Sequence, residues 1–486
     1  MKHTLRSLSS LALVLTIAGC KVGPNYKRPV VDTPANYRGA LAPDIAEAST
    51  APSLGTQKWD TVFTDPVLQQ LITVALKNNY DVKIAADRVL EQQAQVGVTK
   101  AAQYPTLSAG GTYDALGLPS SLFKSLNNSS NGSTTSNSTS QTNYYSGGLT
   151  ASVAWNLDFW GMYRRQTEAA RANLRATEWA KQTTYSTLVE NVATDYYQLR
   201  TLDAELAITR STLDARKQSL HLTQTLEQGG ADSMADVRQA EELYYTAQAQ
   251  IPDLERQIEQ QENNLRLLLG QDPGPIVRNI ADSPSIIATA PHPTDVPVGL
   301  PSDLLERRPD VRRAEELLVQ ANANIGVARA QYFPQLSISG TGGTSSSQLK
   351  GLVDSGNVYY YAVGSLSQPI FDGGKIRNNY RLAKATDQEL IDTYQQTIAG
   401  ALRDVSNALV AYNKTREYRE QQEKQTAAAA DAVRLARIRY NSGSTSYLEV
   451  LTTDTSLYSS QLTLESAQQA EALSLVQLYN ALGGGW

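Results

Sequence analysis

Residues capable of chemistry are few in this sequence and badly placed for it. His3, His221 and His292 stand far apart and Cys20 is the single cysteine, which excludes a histidine cluster, a cysteine-based zinc site and a disulfide framework. No Gly-x-Ser-x-Gly elbow and no His-Glu-x-x-His pair occurs among the many serines and acids. Gly340-Thr341-Gly342-Gly343 lacks the following Lys-Ser/Thr that a phosphate cradle needs. His221 falls inside a long helical stretch, where a packed or solvated imidazole is the ordinary outcome. The expectation is a protein that is not an enzyme and that holds no metal and no cofactor.

Cys20 is the exception, because its surroundings fit one reaction. Lys2 and Arg6 precede an apolar run from Leu8 to Ala18, too short to span a bilayer but the right size for a leader core, and the run ends in Ile17-Ala18-Gly19-Cys20. Small residues before a cysteine are what lipoprotein signal peptidase requires, and the cysteine then becomes the acylated first residue. Residues 1–19 are therefore read as a signal peptide and Cys20 as the lipidation site, the alternative being an ordinary secretory leader with a coincidental cysteine. Losing the leader removes two bases and no acid from totals of 43 and 48, so the mature chain has a net charge of −7 and no general attraction for nucleic acid.

An internal repeat sets the elements around these residues. At an offset of 229, Leu76, Asp81, Val82, Gly97, Pro105 and Leu107 recur as Leu305, Asp310, Val311, Gly326, Pro334 and Leu336. Further on the offset is 213, where Gly161, Arg164, Gly230 and Val237 match Gly374, Arg377, Gly443 and Val450. The extra length of the first copy coincides with a Ser/Asn-rich stretch, Ser120 to Ser146, whose composition reads as an exposed loop. The expected order is a lipidated segment 20–65, a first repeat 66–270, a linker 271–301 and a second repeat 302–486.

Each repeat has one plan. A helix, over roughly 66–102 and 302–331, stops where Tyr104-Pro105 and Phe333-Pro334 force extended backbone. Hairpins come next over 104–160 and 333–373, with an apolar residue at every second position of Leu149-Ala151-Val153-Trp155-Leu157-Phe159 and of Leu336-Ile338-Gly340. A half-buried soluble sheet would give the same alternation. The lipid anchor, together with aromatics at the strand ends (Tyr104, Trp155, Trp160, Phe371), favours strands that cross a bilayer with the Ser/Asn loop outside.

Residues 162–228 then contain no Gly or Pro, and 375–442 contain only Gly400, enough in each case for a helix about 100 Å long. Apolar residues at spacings of 3 and 4 (Tyr185, Leu188, Val192, Tyr196, Leu199; Ile391, Tyr394, Ile398, Leu402, Val405) give each rod a seam that must pack on neighbours. The rods turn at small-residue clusters, 229–233 and 442–446, and return as shorter helices that end at Leu269-Gly270 and Leu482-Gly483. Four strands cannot close a barrel and open edges are not tolerated in lipid, so several chains must share one barrel of eight, twelve or more strands. The fold class expected is a mixed α and β membrane protein in which that barrel continues into a long periplasmic helical tube.

Several motifs resemble those of the TolC-like outer-membrane factors of tripartite efflux pumps, in the lipoprotein branch typified by OprM and NodT. They are Cys20-Lys21-Val22-Gly23-Pro24-Asn25-Tyr26 at the mature start, and Leu300-Pro301-Ser302-Asp303-Leu304-Leu305-Glu306-Arg307-Arg308-Pro309-Asp310-Val311 before the second half. Tyr332-Phe333-Pro334 leads into a strand, and Gln368-Pro369-Ile370-Phe371-Asp372-Gly373-Gly374 leads out of one. The resemblance implies a homotrimer with a twelve-stranded barrel, a twelve-helix tunnel and an equatorial belt built from residues 271–301 and the chain ends. It implies a periplasmic adaptor and an inner-membrane transporter as partners, with the adaptor meeting the turns at Gly229, Gly230, Ala231 and Ser442, Gly443, Ser444. It also implies a periplasmic gate in which Tyr440, three residues before Gly443, bonds Asp236, six after Gly230. Glu449 matches an acidic ring near that aperture. The sequence departs from the family pattern at Thr445, where an Arg is usual, and at Thr452, where the ring has a second acid. Alternatively Tyr440 packs the last helical turn and Asp236 is a first-turn acid favoured by the helix dipole.

The function so implied is a passive exit duct. Other readings are a type I secretion exit channel, a structural coiled-coil lipoprotein of the envelope, and an enzyme tethered on a helical stalk. The last two leave the hairpins, or the absence of room for a compact domain, unexplained.

Overall fold

The computed structural model describes residues 21–34, 36–39, 53–118, 142–278, 296–297 and 299–486. Cys20 with its leader, most of the Ser/Asn-rich stretch and most of the 271–301 linker lie outside the described residues. The first set of elements is α1 (Pro66–Asn78), α2 (Tyr80–Ala101), β1 (Thr106–Leu118), β2 (Thr142–Leu157), α3 (Met162–Gln228) and α4 (Met234–Leu268). The second set is α5 (Pro309–Ala330), β3 (Gln335–Ser346), β4 (Val358–Ser367), α6 (Lys375–Asn441) and α7 (Tyr447–Ala481). Helix lengths recur between the sets: 22 residues for α2 and α5, 67 for α3 and α6, 35 for α4 and α7.

Both helices expected ahead of the hairpins are interrupted, each for a local reason. Asn79 has extended backbone (ψ 137°), and its side chain caps α2: Oδ1 accepts Asp81 N at 2.7 Å and Val82 N at 3.2 Å. Its Nδ2 donates to Leu268 O at 3.0 Å, so one asparagine ends α1, starts α2 and ties off α4. Arg308 is extended as well (ψ 120°), because Pro309 disfavours helix at the residue before it and is itself suited to the first turn of α5. Pro105 and Pro334 stand directly before β1 and β3.

The chain forms two compact units: Met1–Lys27, Gln92–Leu174 and Leu318–Leu390 make the first, and Arg28–Glu91, Arg175–Leu317 and Ile391–Trp486 the second. The first unit holds a four-stranded antiparallel sheet in the order β1-β2-β3-β4. Its register pairs Leu107 with Val153, Val153 with Gly340 and Gly340 with Ala362, so that one set of alternate residues shares each face.

The second unit is helical, with the expected seam residues Leu188, Val192, Tyr196, Leu199, Tyr394, Ile398 and Val405 buried. Several polar groups inside it are paired. Tyr196 donates to Asp65 Oδ2 at 2.6 Å, while Asp65 Oδ1 caps α1 through Val67 N at 2.8 Å. Glu471 meets Arg419 at 2.5 Å, and Arg278 meets both Asp203 and Glu262. Glu465 departs from that pattern, as do Tyr197 and Gln422, since its Oε2 is buried without a partner. Burial, reinforced by the Glu205 carboxylate, pushes its pKa from 4.5 up to about 7. The folded chain therefore holds this proton more tightly than the unfolded chain, and stability is lost as pH rises from about 4.5 to about 7. Glu465→Gln is expected to remove that slope and to raise the melting temperature at pH 8, read from thermal melts across pH 4–8. An unchanged slope in the variant would show that another group carries it.

Candidate functional site

The turns joining α3 to α4 and α6 to α7 are built alike in the second unit. Gly230 (φ +72°) and Gly443 (φ +73°) take the left-handed position after each rod. Ala231 N then reaches back to Leu226 O at 2.8 Å and Ser444 N to Arg439 O at 2.8 Å, closing the same helix-ending motif twice. A Cβ at either glycine would meet nothing within 4 Å, so glycine is required there for backbone conformation alone.

Asp236 is occupied within its own helix. Ser233 N donates to Asp236 Oδ2 at 3.2 Å and Asp236 N to Ser233 Oγ at 3.3 Å, a reciprocal cap on α4. The carboxylate that the structure brings to Tyr440 is instead Asp232, one turn earlier, whose Oδ2 accepts the phenol proton. Burial, and then this bond, raise the Tyr440 phenol well above its ordinary pKa, which keeps it a donor. The Tyr440 ring also leans on Tyr447 (centroids 5.6 Å, 59°), over a core of Ala240, Ala436 and Val450. Tyr440 therefore both packs and bonds.

Glu449 is neutralised within the chain: Arg439 Nη1 lies 2.6 Å from its Oε1, and Thr445 Oγ1 donates to its Oε2. Thr445, the position where the family Arg is missing, thus holds the acid from one side while Arg439 supplies the cation. Deeper between the helices, Arg216 pairs with Asp454 at 2.9 Å, donates to Leu243 O at 3.0 Å and lies 5.1 Å from the Tyr458 ring. Arg437 approaches the other Asp454 oxygen at 3.4 Å. Sequence reading missed Asp232, Arg439 and Arg216, because each finds its partner across a turn or a helix pair.

The sheet of the first unit has two chemically distinct faces. One carries Leu107, Leu149, Val153, Trp155, Leu157, Leu336, Ile338, Tyr360 and Leu366, several of them exposed, with Leu107 at 80% and Tyr360 at 88%. The opposite face carries Thr106, Ser108, Thr150, Ser152, Asn156, Ser337, Ser339, Thr341 and Ser365, joined on β4 by Tyr359, Tyr361 and Val363, with hydroxyl pairs Ser108–Ser152 at 2.7 Å and Ser337–Ser365 at 2.6 Å. Asp114, on that second face, is the one charged residue of the four described strands.

Aromatics gather at both ends of the sheet. Trp155 sits near one end, and just beyond it Trp160 stacks on Phe333 at 4.6 Å; Tyr113 stacks on Tyr145 at 6.4 Å toward the other. Tyr145 and Trp155 are ten residues apart on the same face of β2, about 33 Å along the strand and about 25 Å along the normal for a strand tilted by about 40°. Among the described residues no helix is long and apolar enough to cross a membrane.

The chain resembles characterised proteins over nearly its whole length. It is 35% identical over 489 residues to the solvent efflux pump outer membrane protein SrpC of Pseudomonas putida, covering 99% of this chain and 98% of that one. The cation efflux system protein CusC of Escherichia coli is 31% identical over 479 residues, covering 99% and 98%. Among solved structures, the open state of the MtrE outer membrane channel of Neisseria gonorrhoeae superposes with a TM-score of 0.82 at 28% identity, over 96% of this chain and 98% of that one. A CusC crystal structure gives 0.81 at 30% identity, over 96% and 100%. Residues 71–271 and 300–484 match the family described as outer membrane efflux protein, and with its two helical turns, two long rods and two-faced sheet, the chain belongs to that family of TolC-like outer-membrane factors.

Proposed function

We propose that the chain is the outer-membrane exit duct of a tripartite efflux system, passing substrate passively from an inner-membrane transporter and a periplasmic adaptor to the exterior. The observation that carries this is the sheet: an apolar face about 25 Å tall between aromatic ends, backed by a hydroxyl face nearly free of charge. A coiled-coil lipoprotein of the envelope would have no use for such a surface. β1 and β4 each leave one edge unpaired, and in lipid every unpaired backbone group costs several kcal/mol, so neighbouring copies must complete the ladder. Three copies give twelve strands and, from α3, α4, α6 and α7, a tunnel wall of twelve helices.

The paired turns form the periplasmic end in this reading. Gly229, Gly230, Ala231, Ser442, Gly443 and Ser444 meet the adaptor, Tyr440 with Asp232 latches neighbouring helix pairs, and Asp236 and Glu449 line the aperture. Cys20 carries the lipid. Relatives named for solvents, cations and antibiotics support a cargo of small molecules rather than secreted polypeptides, which favours efflux over a type I secretion channel.

Single-channel recording in a planar bilayer tests the duct: discrete conductance steps are expected, and correctly assembled oligomers that never conduct would refute it. Cys20→Ser is expected to lose palmitate labelling while the strands still insert, because acylation adds anchoring to a chain that already spans the membrane. Label that persists in the Ser variant would remove Cys20 as the acceptor.

A further inference from the structure

The motif Lys21-Val22-Gly23-Pro24-Asn25 has no part in the duct or the latch, yet it is among the most tightly held segments of the first unit. Its receptor is Arg165, in the first turn of α3 and 1% exposed. Nε donates to Val22 O at 3.3 Å, while Nη2 donates to Gly23 O at 3.2 Å and to Asn25 Oδ1 at 3.0 Å. Nη1 donates to Glu168 Oε2 at 3.0 Å, and the same carboxylate pairs with Lys21. Burial works against the Glu168 charge, but Lys21 and Arg165 together hold its pKa below the ordinary value.

The backbone is fitted as closely as the charges. Val22 N donates to Trp160 O at 3.1 Å. Gly23 (φ +106°) passes so near α5 that a Cβ on it would lie 2.5 Å from Gly326 Cα, and a Cβ on Gly326 would lie 2.9 Å from the Arg165 side chain. Gly161 (φ +76°) lets Lys21 approach in the same way, with its Cα 3.2 Å from where a Cβ would stand. Trp160, whose carbonyl receives Val22, stacks on Phe333 and donates Nε1 to Pro334 O at 2.8 Å, so the segment is seated at the point where helix becomes strand.

We propose that Arg165 is the seat for the mature amino terminus, and that seating fixes the point at which residue 20 leaves the protein. Three of the four hydrogen bonds of Arg165 go to residues 22–25, and an unseated segment would forfeit all three. Segment and seat therefore stabilise each other. Together with the reading of Cys20 as the acylated residue, on which this half of the proposal rests, the seat delivers the acyl chains beside the Trp160–Phe333 pair at the membrane interface instead of on a loose tether.

The test uses the full-length protein extracted from membranes, digested with a protease specific for Lys and Arg and followed by mass spectrometry of cuts at Lys21 and Lys27, since Pro29 protects the bond after Arg28. Arg165→Ala is expected to speed cleavage about tenfold, and Arg165→Lys by less, because an amine reaches one of the three acceptors. Asn25→Ala removes one contact without stranding a charge, and is expected to speed cleavage about threefold at an unchanged melting temperature. Wild-type cleavage rates in both Arg165→Ala and Asn25→Ala would overturn the seat. Palmitate labelling is run alongside: a wild-type chain without label refutes the acyl half and leaves the seat to be judged by cleavage.

Discussion

Tyr440→Phe combined with Asp232→Ala is expected to raise the open-state fraction in planar bilayers at least tenfold and to sensitise cells to antibiotics too large for ordinary porins. The phenol-to-carboxylate bond between α6 and the α3–α4 turn is charge-assisted, about 1.5–3 kcal/mol net, and the proposed trimer repeats it three times. Loss from all three copies moves a closed-to-open equilibrium by several kcal/mol if the helix pairs move together. Asp236→Ala alone is the discriminating control. It removes a helix cap worth about 1 kcal/mol and is expected to loosen the turn without opening the channel. A double variant as tight as wild type would eliminate the latch, and opening by Asp236→Ala as great as by Asp232→Ala would return the role to Asp236.

Asp454→Ala is expected to cost about 3–5 kcal/mol, the largest stability loss of any single change near the turns. It strands Arg216, whose side chain is 4% exposed and whose remaining partners are a carbonyl and an aromatic ring. Arg437 approaches the same carboxylate from an exposed position and gains solvent when it is lost, so it offers no rescue. Thermal unfolding in detergent measures the effect. Arg216→Met with Asp454→Leu should recover most of the loss, because an apolar pair of similar volume leaves no buried charge unpaired. A single variant within about 1 kcal/mol of wild type would mean that water reaches Arg216.

The rods and the alternating strands were legible because their signals are local and one-dimensional. A stretch of 67 residues without Gly or Pro has few other fates, and Leu149 to Trp155 alternates with period 2. The break at Arg308-Pro309 was also written in the sequence, since proline restricts the residue before it. The break at Asn79 was not, for an asparagine inside a helical pattern becomes a cap only when a third partner, here Leu268 O, draws its side chain aside.

The Tyr440–Asp232 bond, the proposed latch, shows the limit of counting along a chain. Its tyrosine was identified by distance from a glycine, but which of two acids one turn apart faces it depends on how the α3–α4 turn closes, and Asp236 is claimed by Ser233 first. Arg439 and Glu449 are ten residues apart on opposite sides of a turn. Arg165 looked like any other arginine near the start of a long polar helix. Its hydrogen-bond partners stand about 140 positions earlier, a relation that no periodicity encodes.

The hydroxyl face of the sheet bears on how fast cargo leaves. On β1, β2 and β3 its serines and threonines are too short to swing across a bore, and on β4 Tyr359, Tyr361 and Val363 project further; the neutral hydroxyls exchange partners with water and solute at almost no net gain. Away from the β4 tyrosines and Asp114, a wall of that kind offers molecules of very different chemistry much the same small friction. Residence in the terminal segment is then governed by diffusion and by water carried along with the solute. A charged ring introduced there, by Ser152→Lys for example, would add selectivity and dwell time to a surface whose one charge among the described strands is Asp114.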